Sequence, residues 1–313
     1  MPALVDTNVI VYRFDEDGSG VVIAEERRAG MDPYLGLHYP KSDIPEQARA
    51  LYLRTRVRVL VDARYQPVPV HPMLNPRTGR PLDMSRCVLR AMSPVHMEYL
   101  QNMGVRATLV ASIILHGALW GLIACHHDEP KSPGEESQRF LEHSAEVLAE
   151  QVDLIESREL RRAQKEADVL GRQIHRTLAV VRGWRTALQT HAAQALALMQ
   201  ADGMLLLEPK SFQGYGKVPP PEHLEPVIDW LRAQRNKTII IENALGQRFR
   251  IPPPYGSQAG GLIALRVSED ADLWALFFRR EWEEPRRWAG DPQKGLSISP
   301  EGRPRLTPRA SFA

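Results

Sequence analysis

The chain has 313 residues, 43% apolar and 25% charged, the balance of a folded protein with room for two domains of ordinary size. A formal net charge of +2 gives no large field, so neither nucleic acid nor an acidic membrane surface is expected as a partner. No apolar run approaches the ~20 residues that span a bilayer, MPALVDTN has no signal-peptide pattern, and the two cysteines make no disulfide framework, so a cytoplasmic location is expected.

In chain order, residues 8–14 (NVIVYRF) and 21–25 (VVIAE) read as strands around the turn DEDGSG. Asp43 stands at an N-cap position before a helix over EQARALYLR, with Pro45 in its first turn. Residues 57–61 read as a strand. The stretch Gln66 to Leu82 carries prolines at 67, 69, 72, 76 and 81, and so long a loop inside a domain is expected to be functional or firmly packed. Helical patterns over 86–92 and 94–103 precede strands at 107–115 and 119–126, joined by a turn at His116-Gly117-Ala118.

From Glu135 the pattern changes. Phe140, Leu141, Val147, Leu148, Val152 and Ile155 recur at helical spacing, and apolar positions continue through Leu160, Leu170, Ile174, Leu178 and Val181. This predicts one long helix over about 135–182, with Gly171 or Gly183 as points of interruption; a pair of ordinary packed helices is the alternative. After Gly203, strands are predicted at 204–208, 238–242, 261–267 and 273–280, with a helix from Val227 to Gln234. The fold class is therefore α+β, two domains joined by a long helix.

Several side chains have the chemistry of a polar pocket. Arg58 and Arg90 suit bidentate binding of carboxylates, Asp43, His96 and His126 offer polar contacts, and Tyr12, Tyr52 and Tyr99 offer aromatic ones. Arginines on a strand and a helix are, however, more often solvated or in ordinary salt bridges, and tyrosines more often core residues with a satisfied hydroxyl. His126 and His127 are neighbours on a predicted strand and point to opposite faces, so no shared metal ion is expected. GxSxG, P-loop and dinucleotide-binding GxGxxG motifs are absent from the sequence, and no enzyme activity is expected. Cys87 and Cys125, in CVLR and LIAC, read as small buried hydrophobes.

Three long blocks carry a more specific signal: DPYLGLHYPKSDIPEQAR at 32–49, LRAMSPVHMEYLQNMG at 89–104 and LWGLIACHH at 119–127. With YRFDEDGSG, PVPVHPMLNPRTGRPLDMS and, near the end, FFRREW, WAGDP and PRASF, they resemble the photosensory core of bacterial phytochromes, the bilin photoreceptors. The resemblance implies two GAF-like domains, each an antiparallel sheet with flanking helices. Residues 1–155 would be an N-terminally truncated GAF domain, and 156–313 a PHY domain with a hairpin "tongue" over about 281–313 that reaches back to cover the GAF pocket.

The resemblance also assigns roles. Asp43 would offer its carbonyl to pyrrole nitrogens and its carboxylate to Arg309 of the tongue, with Trp288 and Ser311 as further tongue residues. Ile44 and Pro45 would pack on the bilin, and Tyr52, Arg58, Arg90 and Ser93 would hold the propionates. His96 would sit beside the central rings, His126 would bond the outer-ring carbonyl, and Tyr12 and Tyr99 would flank that ring. Val95 stands where some members carry the attachment cysteine, so the implied cofactor, biliverdin or a related linear tetrapyrrole, would be held without a covalent bond. Val110 replaces a frequent serine, and Thr108 keeps a hydroxyl nearby. The implied function is red/far-red light sensing by a homodimer joined along the long helix, relayed to a histidine kinase and response regulator. A pigment-free dimerisation or interaction module is the competing expectation.

Overall fold

The computed structural model describes residues 7–30, 33–181, 183–209, 211–234, 236–268 and 272–289, together with two short strands, Leu296–Ile298 and Pro304–Leu306. In chain order the first elements are β1 (Asn8–Phe14), β2 (Gly20–Glu26), β3 (Leu37–Tyr39), α1 (Glu46–Arg54), β4 (Val57–Leu60), α2 (Pro94–Asn102), β5 (Ala107–Leu115), β6 (Ala118–His127) and α3 (Glu135–Val181). They are followed by α4 (Trp184–Thr190), α5 (Ala192–Leu198), β7 (Gly203–Leu207), β8 (Phe212–Gly216), α6 (Glu225–Ala233), β9 (Ile239–Glu242), α7 (Leu245–Arg248) and α8 (Tyr255–Gln258). The last are β10 (Gly261–Ser268), β11 (Leu273–Arg279), β12 (Arg287–Trp288), β13 (Leu296–Ile298) and β14 (Pro304–Leu306).

Two compact units emerge, one running through Ile155 and including residues from Pro285 on, the other Glu156–Glu284. The first holds a seven-stranded sheet in the order β12-β3-β2-β1-β6-β5-β4, antiparallel except where β12 joins β3 in parallel. Alternation along its strands sorts residues onto two faces. Val9, Val11, Leu109, Ala111, Ile113, Ile123 and Cys125 pack with Leu141, Ala145 and Ala149 of α3. Ile10, Tyr12, Val110, Leu122 and Ala124 look the other way, onto Tyr34, Tyr39, Ile44 and Tyr52. The helix thus seals one face and leaves the other to loops and α1, where a site can form.

The second unit repeats the principle with the five-stranded sheet β8-β7-β11-β10-β9. Leu205, Leu276 and Phe278 pack under Val227 and Leu231 of α6, while Met204, Leu206 and Phe277 pack on Leu170 of α3, Leu188 of α4 and Ala192 of α5. β13 and β14 form a separate antiparallel pair.

Four local expectations are corrected. Gly171 does not interrupt α3, because one glycine costs a helix only ~1 kcal/mol and its neighbours keep the apolar stripe. Asp43 is not the N-cap of α1; Pro45 occupies that position and makes no side-chain cap bond. Residues 86–92 form turns instead of a helix. The carbonyls of Cys87, Val88 and Arg90, which a helix would use internally, accept from the Arg58 guanidinium instead. Cys87 is half-buried rather than a core hydrophobe, whereas Cys125 is buried and its thiol is pushed up to about 12 by burial.

Candidate functional site

A row of polar side chains crosses three strands on the face turned away from α3. Register places Asn8 of β1 and Thr108 of β5 on either side of His126 of β6. All three are buried, and Asn8 Oδ1, Thr108 Oγ1 and His126 Nδ1 have no hydrogen-bond partner among the described residues. Burial, followed by the influence of His96, lowers His126 to about 4. Burial, followed by the Arg58 guanidinium, likewise lowers His96 to about 4. Both imidazoles are therefore neutral at pH 7.

Arg58 enters from β4, where it pairs with Val110 and so faces the same side. It is 4% exposed, yet no carboxylate contacts it among the described residues. Its N–H groups go to backbone carbonyls at 3.1–3.4 Å and to the Met92 sulfur at 3.6 Å. Burial, and then Arg90, lower its pKa from the usual arginine range. Tyr52 lies within the field of both arginines, and burial raises its phenol. Arg90 itself donates to the Ser85 carbonyl at 3.4 Å. The structure thus gathers Tyr52, Arg58, Arg90, His96 and His126 into one connected electrostatic group.

α2 supplies the next residues. Ser93 is its N-cap, without a side-chain cap bond, and Pro94 fits the first turn. His96 and Tyr99, three positions apart, lie on one side of the helix with nearly parallel rings, centroids 6.4 Å apart. Tyr99 donates from its hydroxyl to Asp43 Oδ2 at 3.3 Å. Ile44 packs on the same core, and Pro45 opens α1.

Tyr12 completes the face through edge contacts with Phe14 and Tyr39. It needs the glycines around it: a Cβ at Gly20 would lie 2.3–2.5 Å from its ring and hydroxyl, and one at Gly121 would lie 2.4 Å from its carbonyl oxygen. Tyr34 and Tyr39 were not among the residues singled out from sequence. Both are buried here, Tyr34 edge-on to His126 at 6.2 Å. Burial raises the Tyr39 phenol, whose oxygen has no partner among the described residues. No periodicity could single them out, since β3 is only three residues long and Tyr34 lies in the turn before it. Beside them, Ala289 is buried in the same cluster, Trp288 lies against His38 at 5.8 Å, and the Ala289 N–H donates to the His38 carbonyl. Arg309 and Ser311 lie outside the described residues.

Among the described residues, no group of three His, Cys, Asp or Glu is placed to hold a metal ion, and no helix is long and apolar enough to cross a membrane.

Comparisons place this geometry in a family. The GAF domain model matches residues 4–152, and the phytochrome region model matches residues 169–313. Cyanobacterial phytochrome B of Nostoc is 36% identical over 97% of this chain and 40% of its own length. Bacteriophytochromes of Xanthomonas campestris and Pseudomonas aeruginosa are 36% and 37% identical over 97% of this chain, and over 49% and 41% of their own lengths. The chain therefore spans well under two thirds of the curated relatives it matches. The crystal structure of a bacteriophytochrome from the photosynthetic bacterium R. palustris superimposes with a TM-score of 0.84 at 36% identity, covering 98% of this chain and 61% of that one. With GAF and phytochrome-region matches along its length and a bacteriophytochrome fold, the chain belongs to the phytochrome family.

Proposed function

We propose that the chain is the bilin-binding photosensory part of a bacterial phytochrome, sensing red and far-red light. The observation that carries this reading is Arg58, a buried guanidinium facing no carboxylate among the described residues, in the same group as the neutral imidazoles of buried His126 and half-buried His96. A buried cation is costly unless paired, so its environment suits an anionic ligand. Unpartnered Thr108 Oγ1, His126 Nδ1 and Tyr39 Oη add polar demand inside an aromatic wall. A linear tetrapyrrole, with two carboxylates, ring nitrogens and carbonyls on an apolar frame, fits that donor set.

When bound, such a group supplies visible-light absorption and a double bond that isomerises. The chain does the rest. Arg58 and Arg90 hold the propionates, with Tyr52 and Ser93 beside them. His96 and Asp43 orient the ring nitrogens, and Ile44 and Pro45 exclude water from that edge. His126 and Thr108 receive polar groups at the far end, and Tyr12 and Tyr99 bound the space in which the outer ring turns. Tyr99 also holds Asp43, so a change at the ring would alter the carboxylate that Arg309 is proposed to meet. Trp288 and Ser311 would move with that pair, the usual logic of a local hydrogen-bond change biasing a two-state element. No attachment thiol is assigned among these 313 residues.

The proposed homodimer rests on α3, where Phe140, Val147 and Leu154 are exposed seven residues apart, the spacing of a helix-pairing seam. The output, a histidine kinase acting on a response regulator in the cytoplasm, is inferred from the bacterial relatives.

The deciding experiment is an absorption spectrum of the purified chain with biliverdin, before and after red light. A red band that shifts on illumination supports the reading. A spectrum no different from free biliverdin would leave the pigment-free interaction module in its place.

A further inference from the structure

Glu25 stands outside every role given above, yet its carboxylate accepts bonds from three residues. It accepts the Tyr34 N–H at 3.1 Å on each oxygen, the Leu35 N–H at 2.9 Å, and the Asn8 Nδ2 at 3.5 Å. These bonds fix the turn from 33 to 36, which also closes through Gly36 N–H to the Val22 carbonyl and Leu37 N–H to the Tyr34 carbonyl. Gly36 takes the left-handed conformation that lets the chain reverse there. The turn points the Tyr34 ring, 3% exposed, edge-on against His126. Asn8, the other partner of Glu25, is the strand neighbour of His126. One carboxylate therefore holds both the turn that sets a ring against His126 and the side chain of its strand neighbour.

We propose that Glu25 is a positioning residue for the ligand site: by pinning the 33–36 turn and Asn8 it sets Tyr34 against His126 and holds that imidazole where a ligand would meet it. The inference extends the pigment-binding reading, but its first readout does not need pigment. A carboxylate is required because two backbone N–H groups and an amide converge on two oxygens. Glu25→Gln leaves one acceptor oxygen and brings a donor against N–H groups. Glu25→Asp keeps the charge but loses a methylene of reach.

The test follows the His126 ring signals by NMR in the ligand-free chain, with Tyr34→Ala marking the signal expected without the neighbouring ring. In either Glu25 variant that folds, the His126 signal is expected to move to the Tyr34→Ala position. Adding Tyr34→Ala to that variant should then move it no further. With biliverdin, the same variants are expected to give a weaker and displaced red band. A folded Glu25 variant with an unmoved His126 signal, even one of lowered thermal stability, would make Glu25 a structural residue only and overturn the proposal. A wild-type chain that gives no band with biliverdin, while the NMR result stands, removes the pigment reading and leaves the positioning of His126 by Glu25 intact.

Discussion

His126 on β6 faces Thr108 on β5 directly across the ladder, and among the described residues neither His126 Nδ1 nor Thr108 Oγ1 has a hydrogen-bond partner. Leaving a buried polar group unpaired costs about 1–3 kcal/mol. Thr108→Val keeps the shape and removes the hydroxyl. It is expected to raise the stability of the ligand-free chain by about 1 kcal/mol while weakening biliverdin binding. Urea unfolding and pigment titration of the same samples check both halves.

The histidines predict a pH dependence. His126 is lowered to about 4 in the folded chain, against an ordinary value near 6.5. Above pH ~6.5 both folded and unfolded states hold it neutral, and its contribution is fully present. Between about 6.5 and 4 the unfolded state takes up the proton first, so stability falls as pH falls, by on the order of 3 kcal/mol in total. Below about 4 both states are charged and the loss levels off. His96 adds in the same direction but is only half-buried, so it counts for less. Unfolding midpoints measured from pH 7.5 to 4 should drop less steeply in His126→Asn; equal slopes would refute the assignment.

Gly20 is expected to be intolerant of any side chain. Its Cβ would collide with the Tyr12 ring, which is held by Phe14 and Tyr39. Gly20→Ala should cost about 1–3 kcal/mol, and Gly20→Ala in a Tyr12→Ala background much less. Thermal unfolding of the four chains of that cycle measures the coupling.

Arg58 links ligand binding to the 86–92 turns. Arg58→Met keeps most of the volume but takes the guanidinium donor from the carbonyls of Cys87, Val88 and Arg90, so the ligand-free chain should stay folded but lose about 1–3 kcal/mol. Losing a charge-assisted bond to a carboxylate should weaken biliverdin binding roughly 10- to 100-fold. Unchanged affinity in a fluorescence or absorbance titration would remove Arg58 from the site.

Along α3, replacing Phe140, Val147 and Leu154 together by serine should convert a dimer to a monomer in light scattering. The folded unit should survive, because Leu141, Ala145 and Ala149 carry the contact with the sheet. A triple variant that remains dimeric would place the interface elsewhere.

Much of the fold was legible because it is written in periodicity. Residues 8–14 and 107–115 form strands over those limits, and the stripe from Phe140 to Val181 gave α3. The segment 86–92 was misread because its helical pattern is real but its carbonyls are claimed by Arg58, some thirty positions away. β3 is three residues long, and β12 two, too short for any pattern; each exists through pairing with a neighbour. Of the site, the blocks around Asp43, His96 and His126 stood out as motifs, but neither Tyr34, though it lies within the first of them, nor Glu25 was singled out. Their importance lies in a turn bonded to a side chain, which no spacing encodes.

The sequence by itself determined the two α+β domains, the long helix, the family and the inventory of arginines, histidines and tyrosines, since these depend on local preference and on long matched blocks. Only the tertiary structure decided that Arg58 is buried with no carboxylate beside it among the described residues, that desolvation lowers His96 and His126, and that Tyr34 covers His126. Those properties come from desolvation and from contacts between strands distant in sequence, and they exist only once the sheet has turned one set of alternating side chains toward α3 and the other toward the site.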